Sequence, residues 1–528
     1  MSESSDPICL SPFLPNYRAA GVLLHVTSLP SSYGIGDLGS QARAWVDRLH
    51  TAGQTWWQIL PLGPTGYGSS PYQPLSSFAG NWLLVSPDDL IADGLLTASD
   101  VGGQSFSESA VEYDAVKSFK QGLLETVWAN LNHVDGHVLK PAFERFCQEE
   151  QHWLEDYTLF QALQDMHHGA SYLDWPTELV RRDPVALDQA RRDLANEIDQ
   201  IRLAQFLIFR QANQLKEYAG SRGVRLIGDL PFFVSPDSSD VWAHPELFLL
   251  DEQLRPRFVA GVPPDYFSAE GQLWGNPVYD WDTIRQTGYR WCIDRVRALL
   301  AHVDLIRLDH FRGFAAAWHV AAGASTALSG EWVPGPGSEF FTAVQQDLGT
   351  LPFIAEDLGI ITPDVRALRD QYHLPGTRVL QFAFDGDPEN LYLPHSYVSN
   401  TVVYTGTHDN NTTRGWYEAL SDDQRQIVCQ ALQRPQIESG EVTSVLLQLA
   451  WSSVAALAVT PLQDLLNLGE DARMNVPGQS DGNWRWRCTE EMLSSLAFQW
   501  LQELTTMTQR LPVLHPTLDS PPNSEVIL

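Results

Sequence analysis

Short apolar runs alternate with longer amphipathic stretches along most of the chain. Eight of the runs are rich in β-branched and aromatic residues, and most of them end in a polar residue, a glycine or a proline. Such runs, bounded by turn-forming residues, are typical of buried β-strands. The predicted strand segments are residues 21–30, 55–64, 224–234, 303–313, 351–359, 377–384, 401–409 and 455–464.

The stretches between these runs have the spacing of helices. Between the first two runs, Trp45, Leu49 and Ala52 recur at helical intervals, and Gly53 follows as a helix stop. Buried strands that alternate with helices indicate a parallel sheet, and eight of them predict a (β/α)8 TIM barrel. A doubly wound open sheet is the alternative, but no GxGxxG pattern follows the first strand to support nucleotide binding.

Two connections are too long for a plain step from strand to helix to strand. Residues 66–220 follow the second strand and contain long helical patterns, whereas residues 235–290 follow the third and are rich in proline, glycine and aromatic residues. We predict one barrel domain over residues 1–528, with a largely helical insertion at 66–220 and a loop-rich insertion at 235–290. Residues 511–528 are expected to form a loosely attached tail.

The composition narrows the classes of partner. A net charge of −31 argues against nucleic acid, whose phosphates require basic patches, and favours a neutral or cationic partner. No apolar run reaches transmembrane length, and the N-terminus lacks the basic and apolar segments of a secretory signal. The five cysteines are scattered without a CxxC pair, as in proteins whose thiols stay reduced. We therefore expect a cytoplasmic protein that has no membrane segment.

Acidic residues stand at four of the predicted strand ends. In a barrel of this type, the chemistry takes place at the carboxyl ends of the strands. A single buried carboxylate is more often part of a structural ion pair, but several that converge on one rim favour a functional site. The residues at these four ends are Asp229, Arg307 with Asp309, Glu356 with Asp357, and His408 with Asp409.

The fourth predicted strand suggests how two of these acids could work. Period-two alternation places Leu305, Arg307 and Asp309 on one face of the strand, so the arginine is expected to keep Asp309 ionised. An ionised carboxylate and a shielded, protonated one are the pair that cleaves glycosidic bonds. Glu356 follows the apolar sequence LPFIA and is the expected proton donor, whereas Asp357 should point to the other side of its strand as a structural acid.

Metal binding is the competing interpretation of the polar residues. His310 and His408 each adjoin an aspartate, but no HExxH, His-x-His or EF-hand-like spacing accompanies them, and we expect no metal and no cofactor. Most of the 18 tryptophans are expected to fill the core. Trp274 is an exception because it is predicted to lie in a polar, glycine-flanked loop, where an aromatic residue usually signals binding.

Three short motifs carry a family resemblance. RLDHFRG (307–313), AEDLG (355–359) and THDNNT (407–412) resemble the catalytic segments of the α-amylase superfamily. Longer segments at 61–81, 261–281 and 471–478 resemble signatures of one branch, the 4-α-glucanotransferases of glycoside hydrolase family 77. The resemblance extends from about residue 20 to about residue 510, so it covers nearly the whole chain.

The resemblance implies a role for each matching residue. Asp309 would be the nucleophile, Glu356 the general acid/base and Asp409 the transition-state stabiliser. The residues implied to contact the sugar at the cleavage point are Arg307, His408, Asp229 and Tyr72, with Ser70 nearby. Those implied to belong to a loop that covers the acceptor side are Asp265, Phe267, Trp274 and Asn276, and Asn475 would bind donor-side sugars.

The resemblance also implies an activity. The protein would cleave an α-1,4 bond in glucans or maltooligosaccharides, hold the glycosyl unit covalently on Asp309, and pass it to the 4-hydroxyl of another sugar. An α-glucan hydrolase is the alternative, because the same three carboxyl groups can serve water as the acceptor. A non-catalytic glucan-binding protein is a third interpretation, but it predicts the loss of at least one of these acids, and all three are present.

Overall fold

A closed barrel of eight parallel strands forms the centre of the molecule. The computed structural model describes residues 11–133, 137–264, 270–479, 481–494 and 496–511. The strands in chain order are β1 (Ala19–Leu23), β2 (Trp56–Gln58), β3 (Arg225–Leu230), β4 (Phe258–Val262), β5 (Gln272–Pro277), β6 (Leu305–Leu308), β7 (Ala316–Ala321), β8 (Gly330–Pro334), β9 (Phe353–Ala355), β10 (Gly376–Val379), β11 (Thr401–Tyr404) and β12 (Leu457–Pro461).

The barrel confirms the predicted fold class. Its strands pair in the order β1–β2–β3–β6–β9–β10–β11–β12, and β12 closes the ring by pairing with β1. All the pairings within the barrel are parallel. Each of the eight strands overlaps one of the eight segments predicted from the sequence, and each pairs with its neighbours in chain order. A doubly wound open sheet is thereby excluded.

Helices surround the barrel and fill the first long connection. In chain order they are α1 (Ser40–Thr51), α2 (Pro87–Ala92), α3 (Tyr113–His133), α4 (Lys140–Glu149), α5 (Gln151–Met166), α6 (Thr177–Val180), α7 (Pro184–Asp193), α8 (Ala195–Ser221), α9 (Ser239–Ala243), α10 (Trp281–Gln286), α11 (Arg290–His302), α12 (Arg312–Ala315), α13 (Gly337–Leu348), α14 (Pro363–Gln371), α15 (Thr413–Ala419), α16 (Asp422–Ala431), α17 (Val442–Ser452), α18 (Leu462–Leu465), α19 (Glu490–Leu493) and α20 (Ala497–Met507). The connection from β2 to β3 thus contains α2 to α8, of which α8 packs on the barrel strand β3. Among the described residues, no helix is both long and apolar enough to cross a membrane.

A second, antiparallel sheet lies outside the barrel and was not predicted. Its strand order is β5–β4–β7–β8, so it combines the connection after β3 with the connection after β6. Trp274 therefore lies in β5 and not in a loop. The pairing that creates the sheet is non-local, since Ala260 of β4 faces His319 of β7. Such pairing leaves little trace in a local pattern, and the glycines of this region weaken the strand signal further.

The barrel interior changes from apolar to polar towards the carboxyl ends of its strands. Every barrel strand contributes at least one side chain to a buried apolar cluster inside the barrel, Leu305 among them. The neighbouring Ile306 and Leu308 belong instead to the larger core between the barrel and its helices. The alternation predicted for this strand is thereby confirmed, and it directs Arg307 into the barrel above Leu305.

Candidate active site

Strand register brings the first group of polar side chains into contact. Asp229 of β3 and Arg307 of β6 are register partners in neighbouring strands. Arg307 Nη1 donates to Asp229 Oδ2 at 2.5 Å and to Asp309 Oδ1 at 3.2 Å. The side chains of Asp229 and Arg307 are 0% and 5% exposed, but that of Asp309 is 29% exposed. Asp309 is therefore the member of this triad that a ligand can reach.

The electrostatics of Asp309 differ in part from the expectation. Burial raises its pKa to about 6, although the positive charge of Arg307 acts in the opposite direction. Arg307 is shared with Asp229, and the negative charges of Asp229 and Asp409 raise the pKa further. Arg307 thus acts in the expected direction, but it is shared between two acids, and the effect of burial is larger. Asp309 is mostly ionised only above about pH 6.

Glu356 has the electrostatics of a proton donor. Burial raises its pKa well above the usual range, and the charges of Asp309 and Asp357 add to this effect, while Arg307 opposes it. The main-chain N–H of His310 donates to Glu356 Oε2 at 2.8 Å. His310 has a φ of +48°, a left-handed conformation that is uncommon for a residue with a side chain. Glu356 therefore keeps its proton to a higher pH than an ordinary glutamate does.

Asp409 is the third carboxyl group of the site. Asn475 Nδ2 donates to its Oδ1 at 2.6 Å, and His408 Nε2 lies 3.2 Å from its Oδ2. Burial raises the pKa of Asp409, but His408 and Asn475 outweigh that effect, and the net pKa is lowered. Arg473 also donates to the main-chain oxygen of Asp409, at 2.8 Å. The carboxylate is thus ionised and fixed in place, with 45% of its side chain exposed.

Tyr72 links the two sides of the site. Its hydroxyl donates to Asp229 Oδ2 at 2.7 Å, and its ring stacks on His408 with centroids 4.9 Å apart and planes at 12°. The main-chain N–H of Tyr72 donates to Ser70 Oγ at 3.2 Å, which stabilises the turn before this residue. Trp484 packs against both stacked rings, with its ring centroid 5.7 Å from that of Tyr72 and 5.6 Å from that of His408. No sequence signal distinguished Trp484 from the other core tryptophans, and its contact with the site depends on the fold.

The predicted acceptor side is only partly described. The ring of Trp274 meets that of His310 edge to face at 4.8 Å, and its Nε1 donates to Gln272. Asn276 is buried and donates to the main-chain oxygen of Val234 at 2.7 Å. Asp265 and Phe267 lie outside the described residues.

His310 was considered from the sequence only as a possible metal ligand. Burial lowers the pKa of its imidazole to about 4, so the ring is neutral at physiological pH. Within the part of the chain that the structure describes, no group of three or more histidine, cysteine, aspartate or glutamate side chains is arranged to hold a metal ion. His310 instead contributes its main-chain N–H to Glu356 and its ring to the contact with Trp274.

The three carboxyl groups therefore differ in pKa. The pKa of Glu356 is raised well above its usual range, that of Asp309 is raised to about 6, and that of Asp409 is lowered, each by a different combination of burial and neighbouring charge. A carboxyl group that keeps its proton beside one that ionises more readily is the arrangement that retaining glycosidases use. Asp229, Arg307 and His408 are buried and Tyr72 is partly buried. These four side chains form a connected set of contacts beside the three acids.

Comparison with known proteins finds a matching family model and similar sequences. The family model described as 4-alpha-glucanotransferase matches residues 24–493. A 4-alpha-glucanotransferase from Synechocystis is 47% identical over 93% of this chain and 98% of its own. One from Thermus thermophilus is 46% identical over 94% of this chain and 99% of its own.

Solved structures agree with these sequence relatives. Amylomaltase from Streptococcus agalactiae, determined in complex with acarbose, superposes with a TM-score of 0.90 at 37% identity, over 93% of this chain and 99% of its own. Amylomaltase from Corynebacterium glutamicum has a TM-score of 0.75 at 19% identity, over 94% of this chain and 75% of its own. The second match bears on the fold alone.

Proposed function

The chain belongs to the 4-alpha-glucanotransferase family, glycoside hydrolase family 77, and we propose that it cleaves α-1,4 glucan bonds and transfers the released glycosyl segment to the 4-hydroxyl of another glucan or of glucose. The observation that carries this proposal is the pair of acids at neighbouring strand ends: Glu356, whose burial raises its pKa well above the usual range, and Asp309, which Arg307 holds and which a ligand can reach. The substrates would be α-1,4-glucans and maltooligosaccharides, in a cytoplasmic protein that consists of one barrel domain with two insertions.

The first half of the reaction forms a covalent intermediate. Asp309 attacks the anomeric carbon of the donor sugar while Glu356 passes its proton to the departing glycosidic oxygen. The bond from carbon to that oxygen breaks as the bond to the Asp309 carboxylate forms. The part of the chain beyond the cleavage point leaves with a new hydroxyl group, and the remaining segment is held as a glycosyl ester.

The second half reverses the roles. Glu356 has lost its proton and acts as a general base, so it takes the proton of the incoming 4-hydroxyl as that oxygen attacks the anomeric carbon. Asp309 leaves as a free carboxylate. Two inversions at one carbon give overall retention, so the new linkage is again α.

The neighbouring groups support the charged transition state. Asp409 is held ionised by His408 and Asn475, and its negative charge would stabilise the positive charge that develops on the sugar ring. Arg307 and Asp229 fix each other and anchor Asp309 and Tyr72. Trp274 and Asn276, with Asp265 and Phe267, would shape the acceptor side, and Ser70 would hold the turn of Tyr72.

Hydrolysis is the competing outcome at the same carboxyl groups. Transfer wins when an acceptor sugar reaches the glycosyl ester before water does, and aromatic walls on the acceptor side would favour this by excluding water. The ring of Trp274 lies 4.8 Å from that of His310, which is next to the nucleophile in sequence, and is closer to it than the rings of Phe232 and Phe233.

Maltotriose as the sole substrate separates transferase from hydrolase. We expect glucose and a ladder of longer maltooligosaccharides, formed without added metal or nucleotide, while the number of reducing ends stays constant. Each transfer breaks one α-1,4 bond and makes another, whereas each hydrolysis adds one reducing end. Chromatography of the products together with a reducing-sugar assay makes the measurement. A steady rise in reducing ends with no product longer than the substrate would leave the hydrolase as the correct assignment.

Replacing Trp274 with alanine is expected to let water compete. Loss of the ring should weaken acceptor binding and raise the ratio of hydrolysis to transfer by roughly two- to tenfold, the usual value of one aromatic contact. The ratio of new reducing ends to elongated products measures this change. Trp128→Ala is the matched control, because Trp128 lies on helix α3 in the helical connection. An unchanged ratio in Trp274→Ala would return this tryptophan to a purely structural role.

A further inference from the structure

Asp357, which follows Glu356 in the chain, has an unusually complete set of partners. Its side chain is 2% exposed. Arg369 Nη1 on α14 lies 2.5 Å from its Oδ2, and the main-chain N–H of Thr377 donates to its Oδ1 at 2.7 Å. Arg378 Nη1 lies 3.4 Å from Oδ1. The carboxylate thus joins the end of β9 to both β10 and α14.

This side chain extends the contact between β9 and β10 beyond their main-chain ladder. The two strands have a single register pair, Ala355 with Gly376. At the next position, the N–H of Thr377 donates to Asp357 Oδ1, and its hydroxyl donates to the main-chain oxygen of Ala355 at 3.0 Å. The main chain can therefore leave the sheet at Glu356 while the next residue, Asp357, stays attached to β10 through its side chain.

Gly376 leaves room for this arrangement. A Cβ atom at position 376 would lie 2.9 and 3.0 Å from the two carboxylate oxygens of Asp357 and 2.9 Å from Arg369 Nη1. These distances are shorter than those of ordinary packing contacts. Asp357 and Arg369 consequently pack directly against the backbone of β10.

On its other side, Glu356 is held by β6 and the turn that follows it. Its main-chain N–H donates to the oxygen of Leu308 at 3.1 Å, and its main-chain oxygen accepts from the N–H of Phe311 at 3.1 Å. Glu356 thus lies between this attachment and the one that Asp357 makes to β10 and α14. We propose that Asp357 is a positioning residue that fixes Glu356 for proton transfer. This inference rests on the proposed role of Glu356 as the acid/base.

The same arrangement has an electrostatic consequence. Apart from burial, the charges that act on Glu356 are those of Arg307, which lowers its pKa, and of Asp309 and Asp357, which raise it. The hydroxyl groups of Tyr392 and Tyr404 also face it, but burial raises their pKa values well above the usual range of tyrosine, so both are neutral. Removing the charge of Asp357 should lower the pKa of Glu356. Removing the opposite charge of Arg369 should raise it.

Asp357→Asn tests the positioning role with two donors. With maltotriose, whose leaving group needs a proton, we expect the rate of the first step to fall roughly a hundredfold, because general acids lose efficiency when they are slightly displaced. With maltosyl fluoride, whose leaving group needs no proton, we expect a much smaller loss of fluoride release. Asp370→Asn is the matched control, since Asp370 binds the same Arg369 but is 64% exposed and does not contact Asp357 in the network described above. We expect this control to resemble the unaltered enzyme with both donors.

The pH profiles give a readout that a general loss of stability would not move. Glu356 must be protonated in the first step. A lower pKa of Glu356 therefore moves the alkaline limb of the pH–rate profile with maltotriose to lower pH. We expect that shift in Asp357→Asn and the opposite shift in Arg369→Gln. Equal losses with both donors, or limbs that stay in place or move in the same direction, would overturn the inference. If Asp357→Asn does not fold, the direction of the shift in Arg369→Gln still decides.

Glu356→Gln in the same assays distinguishes failure of the role proposed for Asp357 from failure of the acid/base role proposed for Glu356. If this variant spares fluoride release but Asp357→Asn loses both activities equally, Glu356 is the acid and Asp357 only stabilises the fold. If Glu356→Gln itself loses both activities equally, the assignment of the acid fails, and the inference about Asp357 fails with it.

Discussion

Replacing Asp309 with asparagine is expected to lower the rate of transfer by about 10³-fold or more while leaving the fold intact. The variant keeps the shape of the side chain but removes the nucleophile, so no glycosyl ester can form. Among the described residues, the carboxylate of Asp309 accepts one hydrogen bond from a side chain, that of Arg307, which remains paired with Asp229. Transfer kinetics with maltotriose, together with thermal unfolding, measure both parts of this expectation.

An exposed aspartate provides the control, and azide provides a chemical test of the nucleophile. Asp282→Asn, at a side chain that is 84% exposed, should leave the rate unchanged. In an Asp309→Ala variant, azide can enter the space of the missing carboxylate and attack the anomeric carbon from the same face. The product would be a β-glycosyl azide, because only one inversion takes place. An α-azide, or near-normal activity in Asp309→Asn, would show that another group is the nucleophile.

The pKa of Asp309 also sets a limit on activity in acid. Burial and neighbouring acids raise it to about 6, and attack on the sugar requires the ionised form. The first step should therefore slow as the pH falls through about 6, since protonation removes the nucleophile.

Replacing Glu356 with glutamine is expected to have the second large effect, about 10²- to 10⁴-fold on transfer from maltotriose. The amide cannot donate a proton to the leaving oxygen or accept one from the incoming hydroxyl. With maltosyl fluoride, the first step should proceed and the second should stall, so a glycosyl-enzyme should accumulate. Intact-mass measurement should find the protein heavier by one maltosyl unit.

Azide distinguishes this variant from the first. It needs no base, so it should release the stalled intermediate of Glu356→Gln as an α-glycosyl azide, the stereochemical opposite of the product expected from Asp309→Ala. Glu418→Gln, an exposed acid on α15 that pairs with Arg414, is the control and should behave like the unaltered protein. Rapid fluoride release from Glu356→Gln with no adduct and no effect of azide would contradict the assignment.

The barrel strands and the acids at their ends could be predicted from the sequence. Residues 303–313 were predicted as a strand with Leu305 and Arg307 on one face, and the structure places Leu305 inside the barrel, with Ile306 in the outer core. This succeeds because a barrel strand is covered on both sides, so burial and alternation are visible within a few residues. The same local pattern located Asp229, Glu356 and Asp409 at the ends of three other barrel strands.

The antiparallel sheet outside the barrel could not be predicted from the sequence. Trp274 was predicted in a loop but lies in β5, which pairs with β4, and β4 in turn pairs with β7 after the next barrel strand. Each of these strands is partly exposed, and β4 and β5 contain glycine, so no strong local pattern marks them. Its stability comes from partners that are distant in sequence.

The sequence by itself determined the fold class, the eight strand segments and the acids at the strand ends, because these depend on burial patterns within short stretches. Only the tertiary structure decided the charge state and the exact support of each acid. Arg307 is shared with Asp229, Asn475 binds Asp409, and Asp357 is enclosed by Arg369 and Arg378. Desolvation and Coulomb interactions depend on distances in space, and most of these partners come from different strands and loops.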